Sequence, residues 1–209
     1  MFGLIKKELY FLKDSLMILI ASMIVIGIGA SFVVSSEIFV IIFPILISSV
    51  VLTTISKDRN AKWDKFVATM PLSKYSLIKS KYIIYVMTVL VGIVIGIIAM
   101  LVGSYVRNGF SATTLFISIG IGLTVSCVSG GISIPISFIW SEEKALMAQI
   151  MSYALVAFTL TGGMYVINNF ISVKDNITLI MGIMVGFSLL FFVRSEEHTS
   201  ELQSRSAIS

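Results

Sequence analysis

The 209-residue chain is poor in the groups on which most soluble chemistry relies: 12% of its residues are charged, and it holds one histidine, one cysteine and three prolines. A soluble domain carries about 25% charge, so too few polar side chains are present to cover a water-exposed globule. Cys127 stands alone, which leaves no intrachain disulfide framework. High apolar content argues equally against intrinsic disorder. No G-x-x-x-x-G-K-[ST] string occurs, so there is no loop whose backbone amides and lysine could cradle ATP phosphates. What the chain does have is apolar surface, with 57% hydrophobic residues and a mean hydropathy of +1.02.

A helix needs roughly 20 apolar residues to cross a bilayer, because every backbone N–H and C=O must be satisfied within the segment. Six charge-free stretches meet or approach that length: Ser15–Val34, Ile38–Ile55, Ile83–Val106, Thr113–Trp140, Ala145–Ile167 and Ile177–Val193. The first has lysines ahead of it, but it is too long for a signal-peptide core and no A-x-A site follows, so it reads as a retained span. The expected fold is all-α, a polytopic membrane protein of six transmembrane helices.

Basic residues then set the orientation. The N-terminal segment holds three Lys/Arg, the Ser56–Tyr82 loop seven and the Ser141–Lys144 loop one, eleven in all, against two (Arg107 and Lys174) in the alternate loops. By the positive-inside rule the first set, and with it both termini, is expected on the cytoplasmic side. The net charge of +4 is thereby explained by topology, and no nucleic-acid partner is expected.

After Val193 the composition changes abruptly. Residues 194–204, RSEEHTSELQS, resemble the in-frame translation of a widely used DNA-sequencing adapter, and residues 194–209 are set aside as such. His198, Glu196, Glu197 and Glu201 are therefore not read as a metal or acid–base site, and the charge of the remainder is +5.

Two cytoplasmic segments carry patterns. In residues 1–14, Phe2, Ile5, Leu9 and Leu12 recur at helical spacing with Lys6, Lys7 and Lys13 beside them. That is either an interfacial helix on the inner leaflet or only a positively flanked start to the first span. In the loop 56–82, Trp63, Phe66, Val67 and Met70 form an i, i+3, i+4, i+7 stripe that Pro71 ends, and Ser73 is a candidate N-cap for the helix that follows. Such a helix–break–helix could either receive a soluble partner or rest on anionic lipid.

Lys57-Asp58, Trp63, Met70-Pro71-Leu72-Ser73, Lys79 and Lys81-Tyr82 leading into a span together resemble the small six-span ABC-2-type permeases of bacterial ABC exporters, over Met1 to about Val193. The resemblance implies a coupling helix in the first cytoplasmic loop, with docking to a separate ABC ATPase subunit on Asp58, Trp63, Phe66 and Pro71. A smaller second contact falls on Glu142 and Glu143. It also implies a second permease chain, a bacterial plasma-membrane location, and export of substrates such as amphipathic or antimicrobial peptides. The alternative is a non-transporting membrane protein, such as an immunity factor or assembly scaffold.

The spans themselves lack Asp, Glu, His, Lys and Arg, groups that ion-coupled carriers and intramembrane enzymes place at mid-membrane. No catalytic residue, metal or cofactor is expected. Val128-Ser-Gly-Gly-Ile132 superficially resembles the ABC signature but lies within a span. Small residues repeat at three- or four-residue spacing: Gly92, Gly96, Ala99 and Gly103, then Ser118, Gly122, Ser126 and Gly130, then Gly182 and Gly186. Each ladder would let another helix approach closely. Pro44, Pro135 and Gly162-Gly163 are candidate flexing points.

Overall fold

A computed structural model describes residues 2–30, 34–61, 74–107, 109–140, 142–169, 172 and 176–205. Over these residues the chain folds into six helices: α1 Phe2–Ala30, α2 Glu37–Asn60, α3 Lys74–Arg107, α4 Ala112–Ile139, α5 Glu142–Asn168 and α6 Ile177–Arg205. Helices α2 to α6 are each long and apolar enough to span a membrane. Helix α1 joins them as a sixth span if its two limbs, Gly3–Lys13 and Ser15–Gly27, are taken together across a 49° bend. The charge-free stretches located these helices because an unbroken apolar run has no other way to satisfy its backbone.

Helices α2, α3 and α4 form the centre: α2 packs along α3 and against α4, α4 carries α5 and α6 on its other side, and α1 lies against α2 and α3. Lipid is as apolar as leucine, so close backbone approach and shape must hold these contacts. Glycines set the approach. A Cβ on Gly92 would fall 2.4 Å from the Cα of Pro44, one on Gly96 2.8 Å from the Cα of Val40, and one on Gly122 2.8 Å from the carbonyl oxygen of Val40. Gly130 leaves room for the Tyr85 ring, whose hydroxyl donates to the Ser126 carbonyl at 2.7 Å. Gly103 is buried in α3. Gly182 and Gly186 differ: no described atom of another element lies within 4 Å of a Cβ at either position, so among the described residues that ladder receives no helix.

Pro44 and Pro135 sit inside continuous helices. The principal core, which includes Leu12, Val51, Ile55, Ile78, Tyr82, Tyr85 and Phe192, fills the half of the bundle nearest the α2–α3 connection. A smaller core of Met23, Phe39, Phe43 and Ile47 lies further along α1 and α2. Helix α5 contributes least to the interior, with Met147, Ile150, Met151, Leu155 and Phe158 all outward. Helix α6 continues past Val193 through Arg205, and the Tyr82 hydroxyl lies 3.1 Å from Ser195 Oγ and 3.0 Å from Thr199 Oγ. Both contacts fall in the stretch that resembles adapter sequence.

Candidate functional site: an ionic ring at the roots of the α2–α3 connection

Among the described residues the only buried charged side chains are Glu8 and Lys81. They belong to one closed ring of alternating charge. Lys81 Nζ lies 2.7 Å from Glu8 Oε2 and 2.5 Å from Asp58 Oδ2; Lys7 Nζ lies 2.6 Å from Asp58 Oδ1 and 3.2 Å from Glu8 Oε1. Lys81 also donates to Thr54 Oγ1 at 3.1 Å, and that hydroxyl donates to the Val51 carbonyl. Two cations and two anions make the ring neutral, which is the condition under which burying charge is tolerable.

Three helices supply the ring, each for a local reason. In α1, Leu4, Glu8 and Leu12 are spaced by four and all face inward, so Glu8 rides on the buried stripe of an otherwise apolar face. Of the stripe Phe2, Ile5, Leu9 and Leu12, Leu12 is in the core and Ile5 packs against it, whereas Leu9 is 44% exposed beside the outward Tyr10 and Phe11; the Phe2 side chain lies outside the described ones. Asp58 is in the last turn of α2, where the negative end of the helix dipole disfavours an anion, and the two lysines compensate. Lys81 lies two turns into α3 between the buried Ile78 and Ile84. Burial alone would raise the Asp58 carboxyl; the Lys81 and Lys7 ammonium groups outweigh it and hold the group below the usual carboxylate range.

Arg59, next to Asp58, reaches a different element. Its Nη1 donates to the Ser137 carbonyl at 3.2 Å and to the Trp140 carbonyl, so a cation caps the last turn of α4, where carbonyls lack partners and the dipole is negative. Lys57 Nζ stands 5.2 Å above the Phe11 ring of α1. Lys57, Asp58 and Arg59 thus tie the end of α2 to α1, α3 and α4 at the point where the chain enters residues 62–73.

Of the residues expected to dock an ATPase, Asp58 is held in the ring with its side chain 19% exposed. Trp63, Phe66 and Pro71 lie outside the described residues. Glu142 and Glu143 open α5, where carboxylates suit the positive end of the helix dipole, and Glu143 is exposed. Glu8 is not singled out from the sequence, Lys7 is placed with Lys6 and Lys13 beside the apolar stripe, and Lys81 is counted among the basic residues of loop 56–82. The signal for Glu8 was present in its spacing with Leu4 and Leu12.

Apart from the ring, the described interior holds hydroxyls, the Cys127 thiol, the Gln149 amide and apolar groups. Ser48, Thr88, Thr124, Ser129 and Ser137 each donate to a carbonyl three or four residues back in their own helix, so they are satisfied locally. The crevice between α2, α4 and α5, lined by Ser56, Ser137 and Gln149 among others, offers about 10 Å³, which is about one water's worth of space.

Stacked apolar helices with the described buried charges at one end define a polytopic helical membrane protein. The model of the ABC-2 family transporter proteins matches residues 3–195, and the chain belongs to that family. It is accordingly a permease-type membrane component of an ABC transporter. No curated protein and no solved structure gives a significant match.

Proposed function

We propose that this chain is the permease half of an ATP-driven exporter, paired with a second permease chain and worked by separate ATPase subunits at its cytoplasmic face. The observation that carries the reading is the segregation of charge: the described buried charges sit at the roots of residues 62–73, and the rest of the described interior holds uncharged polar and apolar groups. Such a body has no relay for an ion gradient, so the energy for movement enters at that end. Docking then falls on Trp63, Phe66 and Pro71, with Asp58 holding the loop from behind and Glu142 and Glu143 as a second contact. Both termini face the cytoplasm, in a bacterial plasma membrane, in agreement with the eleven-to-two distribution of basic residues.

The crevice beside Ser56, Ser137 and Gln149 is too small for cargo, and the route is read as running between two permease chains. The outward faces of α5 and α6, including Phe158, Leu179, Ile183 and Phe187, are apolar enough to meet lipid or the second chain. An amphipathic or antimicrobial peptide fits an uncharged route better than a sugar does. The test is a Trp63→Ala, Phe66→Ala double variant of the full chain. Loss of ATPase co-purification with the fold intact is expected; wild-type retention of the ATPase and wild-type export would refute the docking assignment.

A further inference from the structure

Stability alone does not account for the ring. Replacing a buried ion pair with apolar groups of similar volume is often neutral or favourable, whereas removing one partner strands a charge. Ion pairs do add register: leucines slide past one another at small cost, while two carboxylates shared between two ammonium groups at 2.5–2.7 Å fix three helices in one relative position. The placement gives that register a use. Asp58 lies four residues before residue 62 and Lys81 eight after residue 73, so of the four ring side chains these two are the nearest in sequence to residues 62–73. Glu8 and Lys7 carry that register to the Gly3–Lys13 limb of α1, which meets the spanning limb at the 49° bend.

We propose that Glu8 and Lys81 are positioning residues for α1, and that the Glu8–Lys81–Asp58–Lys7 ring makes the Gly3–Lys13 limb move with the roots of residues 62–73 as one lever on the first span. The proposal rests on the reading of residues 62–73 as the ATPase-facing segment. Through Lys81 the motion passes from α3 to α1, and through Asp58 and Lys7 from α2 to α1. Apolar contacts above the ring, such as Leu12 with the core around Ile55 and Ile78, hold α1 in place without fixing its register.

The test uses the full chain in lipid nanodiscs with its co-purified ATPase, in a Cys127→Ala background. An environment-sensitive fluorophore is placed on Ile26→Cys, on the outer half of α1, where the native side chain is 61% exposed. The probe is Mg-ATP with vanadate. The otherwise wild-type chain is expected to show a nucleotide-driven emission shift. The pair Glu8→Gln, Lys81→Met removes one charge of each sign, so ATPase retention, ATP hydrolysis and thermal midpoint are expected to stay near wild type while the shift falls at least five-fold. Lys81→Arg, which keeps the charge, is expected to retain at least half of it. An undiminished shift in the stable double variant would show that the ring is structural only and overturn the proposal. If the double variant does not assemble, Lys7→Gln decides: it opens the ring at its most exposed corner and is expected to reduce the shift at least two-fold, and no reduction overturns the proposal. A wild-type chain that retains no ATPase, or shows no shift, refutes the underlying reading of the loop and the proposal with it; a wild-type shift with unaffected variants refutes the lever alone.

Discussion

Gly92→Ala and Gly182→Ala are the same chemical change at two helix positions, and the structure assigns them opposite signs. At Gly92 the added Cβ would lie 2.4 Å from the Cα and 2.8 Å from the nitrogen of Pro44, and 3.1 Å from the carbonyl carbon of Phe43. All three are backbone atoms, so no rotamer change relieves the contact. Ordinary contact begins near 3.4 Å, and restoring it requires α2 and α3 to part by about 1 Å, an overpacking cost of about 1–3 kcal/mol. Alanine's better helix propensity offsets up to about 1 kcal/mol of that. At Gly182 no described atom of another element lies within 4 Å, so only the propensity gain remains. The two variants should therefore differ by about 2 kcal/mol, Gly92→Ala the less stable. Unfolding of the purified protein by SDS titration in mixed micelles, followed by tryptophan fluorescence, measures the difference. Equal midpoints, or a Gly92→Ala protein more stable than Gly182→Ala, would mean that the α2–α3 contact is not as close as described.

Arg59→Gln should loosen the last turn of α4: losing a charged donor to the Ser137 and Trp140 carbonyls costs about 1.5–3 kcal/mol, and faster amide exchange at residues 136–140 would report it. The ring also has a pH signature. The folded-state pKa of Asp58 is depressed below its ordinary 3.8, so its contribution is complete above the unfolded value and is lost only as pH falls through the folded one. The stability difference between wild type and Asp58→Asn should thus stay constant from about pH 8 to 5 and shrink only below about 4; a collapse between pH 5 and 7 would contradict the assignment.

Hydropathy carried the helices well because a span has one solution to its backbone hydrogen bonds, and the stretch Thr113–Trp140 corresponds closely to α4, Ala112–Ile139. Residue-level patterns carried less. Helix α3 begins at Lys74, where the reading of Ser73 as an N-cap puts it and well before the apolar stretch at Ile83, because charged residues extend a helix as readily as leucines do; what the pattern does not show is that its early turns bury Lys81. A lysine just outside an apolar stretch looks solvated until the carboxylates that neutralise it are seen, and those come from Glu8 and Asp58, 73 and 23 positions away. Long-range pairing of this kind has no periodicity to read. Small-residue spacing marks where a helix could come close, as at Gly92 beneath Pro44, but the same spacing at Gly182 and Gly186 meets no other element among the described residues, since spacing does not say which face is turned inward.

The central claim is that a separate ATPase drives this permease through the segment between α2 and α3. A photoreactive phenylalanine analogue at position 66, irradiated in cells and followed by mass spectrometry of the adducts, tests it most directly. The account predicts a covalent adduct to a polypeptide carrying Walker A and ABC signature motifs, lost when the reporter is moved to the outward position 105 on α3. Adducts from position 66 to lipid or to non-ATPase proteins alone would contradict it.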